Sequence, residues 1–63
     1  LECHRRGSFI SDGKITCSAK KTFCCKMYEK IFGIYWYGCA KTYTEKNTWN
    51  VYSKCCTTNL CNT

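Results

Sequence analysis

The composition indicates one small, basic, cysteine-rich domain, since the chain has 63 residues, eight cysteines and a formal net charge of +6. A chain this short buries too little apolar surface to fold without cross-links, and an even, dense set of cysteines is typical of secreted disulfide proteins. We therefore expect a secreted single domain over residues 1–63 with four disulfides. No apolar run is long enough for a transmembrane helix.

Two further expectations come from the charge and from the first residues. Ten Lys and Arg residues against four acids favour an anionic partner, either an acidic receptor surface or anionic lipid. Nucleic acid is not expected for a secreted protein without a long basic block, and solubility alone is the other explanation of the charge. The opening Leu1-Glu2-Cys3 has neither an initiating Met nor signal-peptide character, which predicts a processed, mature chain.

Three long spacers separate the cysteines, and each predicts a β-hairpin that leaves a cysteine-dense hub. They have 13, 13 and 15 residues. In the first, residues 4–16, Asp12-Gly13 lies between apolar residues and predicts the turn, because both residue types tolerate positive φ. In the second, residues 26–38, Gly33 lies in the middle of a segment rich in Ile, Tyr, Trp and Phe.

The third spacer, residues 40–54, has Thr, Tyr, Val and Trp on both sides of Glu45-Lys46-Asn47. This predicts a turn there, with Asn47 as a candidate for the left-handed conformation. No helical pattern competes and the chain has no Pro. We therefore expect an all-β, disulfide-rich protein with about five short antiparallel strands.

The sequence does not contain the residues of an enzyme or a metal site. His4 is the only histidine and has no obvious Ser or carboxylate partner. The four acids are scattered, one near the hub and one in each hairpin, so no pair of carboxylates is formed. Neither the two Cys-Cys pairs nor the C-x4-C spacing matches a zinc module. We expect no catalytic residue, no metal and no cofactor.

The C-terminal "CCTTNLCN", residues 55–62, is the most specific motif of the chain. Together with the opening "LEC", Cys17, Cys24 and the "GC" at 38–39, it resembles the three-finger toxin family of elapid snakes over the whole chain. Within the family, the chain resembles the mamba members, in particular an atypical one that acts on potassium channels. The resemblance implies three hairpin fingers, here called finger I (4–16), finger II (26–38) and finger III (40–54). It also implies a C-terminal ring over 56–61.

The chain departs from the family's cysteine pattern at two positions. Tyr43 stands where the family often has a cysteine, and Cys25 stands where it commonly has a tyrosine. The resemblance implies the disulfides Cys3–Cys24, Cys17–Cys39 and Cys56–Cys61, which leaves Cys25 and Cys55. In the three-finger fold their strands are neighbours, with Cβ atoms of facing residues about 4.5–5.5 Å apart. We therefore predict a Cys25–Cys55 bond.

Finger II carries the strongest candidate binding surface. Ile31 and Phe32 lie at its expected tip, where a structural role is least needed, with lysines on one arm and aromatic residues on the other. Large aromatic residues near basic ones are good interface anchors. The alternative is that two of the aromatic residues of the arms (Tyr28, Tyr35, Trp36, Tyr37) pack the central sheet. The full set of expected contact residues is Lys26, Lys30, Ile31, Phe32, Ile34, Tyr35, Trp36, Arg5 and Arg6.

The other two fingers give weaker signals. Finger I has Phe9 and Ile10 near its tip, with Lys14 close by, and finger III has Lys46 and Trp49. Solvated charges and a Trp that packs across strands explain these residues as well as a contact role does.

The resemblance implies a venom neurotoxin that binds the extracellular domain of an ion channel, with a potassium channel expected first and activation favoured over block. Antagonism of nicotinic or muscarinic acetylcholine receptors and membrane disruption are the alternatives. Nicotinic binders of the family carry Asp and Arg-Gly in finger II, and this finger has neither Asp nor Arg. The apparent third tip, "TEKNT", is polar, which argues against lysis. We expect a monomer with at most weak contact with anionic membrane surfaces.

Overall fold

The computed structural model describes residues 1–63 and contains six β-strands and no helix. The strands are β1 (Glu2–Gly7), β2 (Ile10–Thr16), β3 (Phe23–Glu29), β4 (Ile34–Ala40), β5 (Lys46–Asn47) and β6 (Val51–Cys56). The sequence predicts about five strands, and the difference is β5, which has only two residues. No segment forms a helix of the length and apolar character that crossing a membrane requires.

All six strands form one antiparallel sheet in the order β2-β1-β4-β3-β6-β5. Its three hairpins are β1–β2, β3–β4 and β5–β6, which are fingers I, II and III. The molecule measures 32 × 23 × 16 Å. Because the sheet is a single layer, no apolar core forms between layers, and side chains on both faces can reach solvent.

The buried apolar core consists of cysteines at one end of the sheet, which we call the hub. The buried cysteines are Cys3, Cys24, Cys25, Cys39 and Cys55. Four disulfides connect the hub, and none of the eight cysteines is free. Each such bond typically contributes about 2–4 kcal/mol to stability. The bonds are the pairs expected from the sequence: Cys3–Cys24, Cys17–Cys39, Cys25–Cys55 and Cys56–Cys61.

The bond between Cys25 and Cys55 links two neighbouring strands. The two residues face each other directly across β3 and β6, with Cα atoms 4.0 Å apart. The ring of Tyr43 meets Phe23 edge-on, with centroids 5.8 Å apart. The Thr44 N–H donates to Cys55 Sγ at 3.4 Å. An aromatic contact and a backbone-to-sulfur hydrogen bond therefore hold the base of finger III, where the family often has a cysteine.

Asn62 attaches the C-terminal segment to the hub. Its side chain is buried, and its Oδ1 accepts a hydrogen bond from the His4 N–H at 2.9 Å. Its Nδ2 donates to the carbonyl oxygens of His4 and Cys25, both at 3.0 Å. A buried amide needs such partners, because an unpaired one costs its full desolvation energy. The ring closed by Cys56–Cys61 is thus fixed onto β1 and β3.

The turn of finger I lies at Ser8 and Phe9, so the predicted turn at Asp12-Gly13 is wrong. Asp12 and Gly13 lie inside β2 and neither has positive φ. The cause is pairing with β4: the Tyr35 N–H donates to Ser8 Oγ at 3.1 Å, and the Ser8 N–H donates to the Tyr35 carbonyl at 3.2 Å. A Cβ on Gly7 would lie 3.4 Å from that carbonyl oxygen. These contacts between hairpins override the local turn preference.

The turn of finger III is also displaced from its predicted place. Asn47 lies in β5 without positive φ, and the chain turns over residues 48–50. Thr48 closes this turn, because its N–H donates to the Val51 carbonyl at 2.9 Å and its Oγ1 accepts from the Val51 N–H at 3.1 Å. The tip is therefore not the polar "TEKNT" segment, and Trp49 lies at its apex.

The strand register gives the sheet two different faces, because directly opposed residues of antiparallel neighbours point to the same side. One face, which we call the tyrosine–cation face, carries Arg6, Lys26, Lys54, Tyr28, Tyr35, Tyr37 and Tyr52. The opposite face carries mainly apolar and small residues at its centre, among them Met27, Ile34, Trp36, Gly38 and Val51.

Candidate functional site

The tip of finger II is a turn held by one carboxylate. It spans residues 30–33 between β3 and β4, and Gly33 has φ of +67°, in keeping with its predicted role. Glu29 accepts hydrogen bonds from the N–H groups of Ile31 at 2.7 Å and Phe32 at 2.8 Å, one on each oxygen. The acid therefore orients two consecutive backbone amides and fixes the direction of the side chains that follow.

The side chains of this tip point into solvent. Phe32 is 80% exposed and Ile31 is 56% exposed, and Ile34 is also an exposed apolar residue. Lys30 begins the turn and is exposed. Such a combination does not stabilise the fold, because these side chains bury little apolar surface. It leaves apolar surface and a positive charge exposed, as is typical of residues that anchor a partner.

The three turns lie along the same edge of the sheet, opposite the hub. The Lys30 N–H donates to the Asn50 carbonyl at 2.8 Å and so joins the tips of fingers II and III. The reciprocal contacts of Ser8 with β4 fix the tip of finger I beside them. Phe9 is 91% exposed and Trp49 is 79% exposed. Each turn therefore presents one large aromatic side chain to solvent.

Lys26 does not flank the tip of finger II as the sequence suggests. Its Nζ donates to the Thr63 carbonyl oxygen at 2.8 Å, near the C-terminal segment. It also lies over the ring of Tyr52, 5.9 Å from the centroid. Arg6 lies over the ring of Tyr37 at 5.5 Å. Lys26 and Arg6 thus belong to the tyrosine–cation face, because both are directly opposite Tyr37 and point to the same side of the sheet.

Two other expected contact residues, Arg5 and Trp36, lie on the opposite face. They line a groove of about 290 Å³ with Ile15, Lys21 and the chain around Cys39. The expected set is therefore divided among three places. Only Lys30, Ile31, Phe32 and Ile34 come together at the tip, and Tyr35 lies at the start of the adjoining strand.

The aromatic residues of the finger II arms are only partly covered. Tyr28 is exposed, whereas Tyr35, Trp36 and Tyr37 are half-buried. The rings of Tyr35 and Tyr37 meet edge-on, with centroids 6.2 Å apart. Three of the four therefore contribute to sheet packing while keeping part of their surface available.

Sequence reasoning misses the role of Glu29 and leaves that of Trp49 undecided. Glu29 looks like an isolated acid in the sequence. An acid that precedes the unpaired amides of a turn by two or three residues can nevertheless accept hydrogen bonds from them, and this spacing is the signal that could have identified it. Trp49 is assigned equally to packing and contact, because the turn of finger III is expected too early in the chain. The apex position of Trp49 depends on the Thr48 hydrogen bonds, which the residue types alone do not specify.

One cluster of sulfur atoms has metal-like spacing. The sulfurs of Cys3, Cys17 and Cys39 lie within 4.8 Å of one another. All three are in disulfides, and a metal binds cysteine as the thiolate. The cluster is therefore structural.

Comparison with known proteins identifies the class. The chain is 62% identical over 63 residues to bucandin of Bungarus candidus, with both chains covered completely. It is 56% identical to actiflagelin of Walterinnesia aegyptia and 52% identical to toxin S6C6 of the mamba Dendroaspis jamesoni kaimosae, each over 62 residues and 98% of both chains. The solution structure of bucandin, a neurotoxin from the venom of the Malayan krait, superimposes with a TM-score of 0.86 over the full length of both chains. No family model matches.

The chain belongs to the three-finger toxin family of elapid snakes. It is a secreted toxin and not an enzyme. The match to the bucandin structure confirms the expected all-β three-finger fold with four disulfides.

Proposed function

We propose that this toxin binds the extracellular face of an ion channel, a potassium channel in the first instance, through the tip of finger II, and that it changes the channel's gating. The observation that carries the proposal is the tip itself. Ile31 and Phe32 are exposed on a turn whose amides are fixed by Glu29, and Lys30 lies beside them. A turn already held in one conformation loses little entropy when it binds.

The net charge of +6 supports an acidic target. A cationic protein is drawn to an acidic channel vestibule at distances of roughly 8–10 Å in physiological salt, and such steering raises association rates by about 10–10³-fold. The apolar tip then makes the short-range contacts that slow dissociation. Raising the ionic strength is accordingly expected to slow association more than it speeds dissociation.

A gating effect requires different affinities for the open and closed channel. Activation, the direction implied by the resemblance to mamba toxins of this type, means that the tip fits the open state more tightly. Block is the alternative outcome of the same contact.

The proposal is tested by recordings from expressed potassium channels, with nicotinic receptors recorded alongside. We expect the variant Lys30→Glu with Phe32→Ala to abolish the effect on potassium current. The control is Lys41→Glu, which makes the same charge change in an exposed loop next to the hub. A tip variant that still acts on the channel would show that finger II is the wrong surface. Inhibition of acetylcholine receptors without any effect on potassium channels would favour the receptor-antagonist alternative.

Contact with anionic membranes is a second candidate, and Trp49 favours it. Its place at the apex of finger III means that all three turns present an exposed aromatic residue along one edge. Aromatic residues with nearby lysines bind the interface of anionic bilayers. Dye release from anionic liposomes, measured at the toxin concentrations that alter current, separates the two candidates. Release in that range would support membrane action, and its absence would support a specific channel.

A further inference from the structure

The tyrosine–cation face has a charge arrangement that the fold does not explain. Lys26 and Lys54 lie directly opposite each other on β3 and β6. Like charges in this position destabilise a sheet. The only ion pair between side chains joins Arg6 to Asp12 at 3.6 Å, and no Asp or Glu pairs with either lysine. Lys26 has one polar partner, the main-chain oxygen of Thr63, the last residue, at 2.8 Å, and Lys54 has none. A pair of like charges that the fold compensates on one side only is a local conflict of the kind that is typical of functional sites.

The cations and tyrosines of this face form two adjacent rows across the strands. Arg6, Tyr37, Lys26 and Lys54 occupy facing positions on β1, β4, β3 and β6. With a strand spacing of about 4.8 Å, this row is roughly 14 Å long. The next row along the strands, about 7 Å closer to the tips, consists of Tyr35, Tyr28 and Tyr52.

The side chains of the face are available to a ligand. Arg6, Lys54 and Tyr28 are exposed, and Lys26, Tyr35, Tyr37 and Tyr52 are half-buried. One donor of Lys26 is used by the Thr63 carbonyl, which leaves two on its ammonium group. Asp12 pairs with Arg6, and Glu2 lies at the hub end of β1. Neither lies between the two lysines.

We propose that the tyrosine–cation face binds an extended, acidic polypeptide segment of the toxin's protein partner. The paired lysines take one carboxylate, and Arg6 takes a second by exchange with Asp12. The tyrosine row supplies hydroxyl groups for hydrogen bonds and ring surface for apolar side chains of the segment. The identification of this partner as the channel rests on the proposed function, whereas the binding of acidic peptide does not.

Charge density distinguishes this partner from other anions. Three cations along roughly 14 Å are few for a sulfated polysaccharide, whose binding depends on many charge contacts. Alternate side chains of an extended peptide point to the same side, so acidic residues four positions apart are about 14 Å from each other and reach both ends of the row. A membrane surface would meet the aromatic edge of the three turns, which lies at right angles to this face.

The test uses the full toxin and a fluorescein-labelled peptide of four Glu-Thr repeats. Fluorescence anisotropy gives the affinity, and NMR locates the site from the ring signals of the tyrosines. We expect shifts at Tyr28, Tyr37 and Tyr52, and a loss of affinity of about fivefold in the variant Lys26→Gln with Lys54→Gln, a size consistent with two exposed ion pairs. The matched control, Lys21→Gln with Lys46→Gln, removes the same charge from the opposite side, since Lys21 lines the groove there and Lys46 faces Ser53.

Several outcomes would overturn the assignment. Equal losses in both double variants would mean that only net charge matters. Shifts confined to Phe9, Phe32 and Trp49 would move the site to the tips. A heparin fragment or anionic vesicles could bind more tightly than the peptide and lose that binding in the Lys26/Lys54 variant. The ligand of the face would then be a glycan or a lipid. Absence of peptide binding in a toxin that still modulates the channel would refute this inference alone, whereas peptide binding without any channel effect would refute only the proposed function.

Discussion

The hub and the edge formed by the three turns are opposite in burial and in bonding. At the hub, the buried side chains are cysteines joined in pairs and an asparagine with every hydrogen bond satisfied. The other edge carries the most exposed large apolar residues of the molecule, among them Phe9 at 91%. A single-layer sheet has no apolar core to share between these ends. Stability is therefore concentrated where the cross-links are, and recognition is free to use the turns.

Removal of Cys25–Cys55 is expected to give the largest loss of stability. The bond closes a loop with a sequence separation of 30. The chain-entropy relation gives about 3–4 kcal/mol for a loop of this size. The measurement is the free energy of unfolding of Cys25→Ser with Cys55→Ser in denaturant. The control is Cys56→Ser with Cys61→Ser, whose separation is 5 and whose expected loss is nearer about 2 kcal/mol. Equal losses of unfolding free energy in the two double variants would show that loop entropy is not the source of the stabilisation.

Asn62→Ala is expected to come next, with a loss of about 2–3 kcal/mol. It leaves the His4 N–H and the carbonyl oxygens of His4 and Cys25 without their partner, and a buried unpaired group costs about 1–3 kcal/mol. Asn62→Asp is the matched control, because it keeps the acceptor for His4 and loses the two donated bonds. Thermal unfolding at neutral pH should place the aspartate below alanine, because it buries a charge and sets an oxygen against the carbonyl oxygens of His4 and Cys25. An unchanged Asn62→Ala variant would show that the ring disulfide alone holds the segment.

The turns show where sequence reasoning succeeds and where it fails. Gly33 is predicted correctly, because the central hairpin has a local turn whose positive φ only glycine adopts easily. Asp12-Gly13 and Asn47 are wrong, although both are good turn residues. In finger I the contacts of Ser8 with the neighbouring hairpin decide the turn, and in finger III a hydrogen-bonded threonine does. Local residue preferences cannot predict a turn whose position depends on contacts that form only in the folded sheet.

The same division applies to the candidate site. Exposure of Ile31 and Phe32 follows from their position in an apolar sequence beside the turn. Lys26 is four residues from Lys30 and looks like part of the same cluster, yet strand geometry puts it far from the tip and on one face with Tyr52. Which residues share a face depends on register between strands distant in sequence. The sequence therefore indicates the tip but not the tyrosine–cation face.

Glu29→Gln tests whether the tip is held as firmly as the hub. The amide keeps one acceptor oxygen, so one of the bonds to Ile31 and Phe32 is lost and the other is weakened. We expect hydrogen exchange of these two amides to accelerate by about tenfold, which corresponds to the roughly 1–1.5 kcal/mol of such bonds. The free energy of global unfolding should change by less than about 0.5 kcal/mol. Exchange that stays slow would mean that Gly33 and the strand pairing fix the turn without the acid.

Trp49→Ala is expected to have the smallest effect on stability, within about 0.5 kcal/mol, because its ring is 79% exposed and buries little surface. Its effect on binding separates the two candidate functions. A channel contact made by finger II should survive the substitution, whereas binding to anionic vesicles should weaken together with that of Phe9→Ala and Phe32→Ala. The control Tyr43→Ala removes an aromatic residue from the hub end, where it meets Phe23. It should lower stability and leave vesicle binding intact. Reversed effects, with Trp49 stabilising the fold and Tyr43 binding lipid, would contradict the separation of hub and tips.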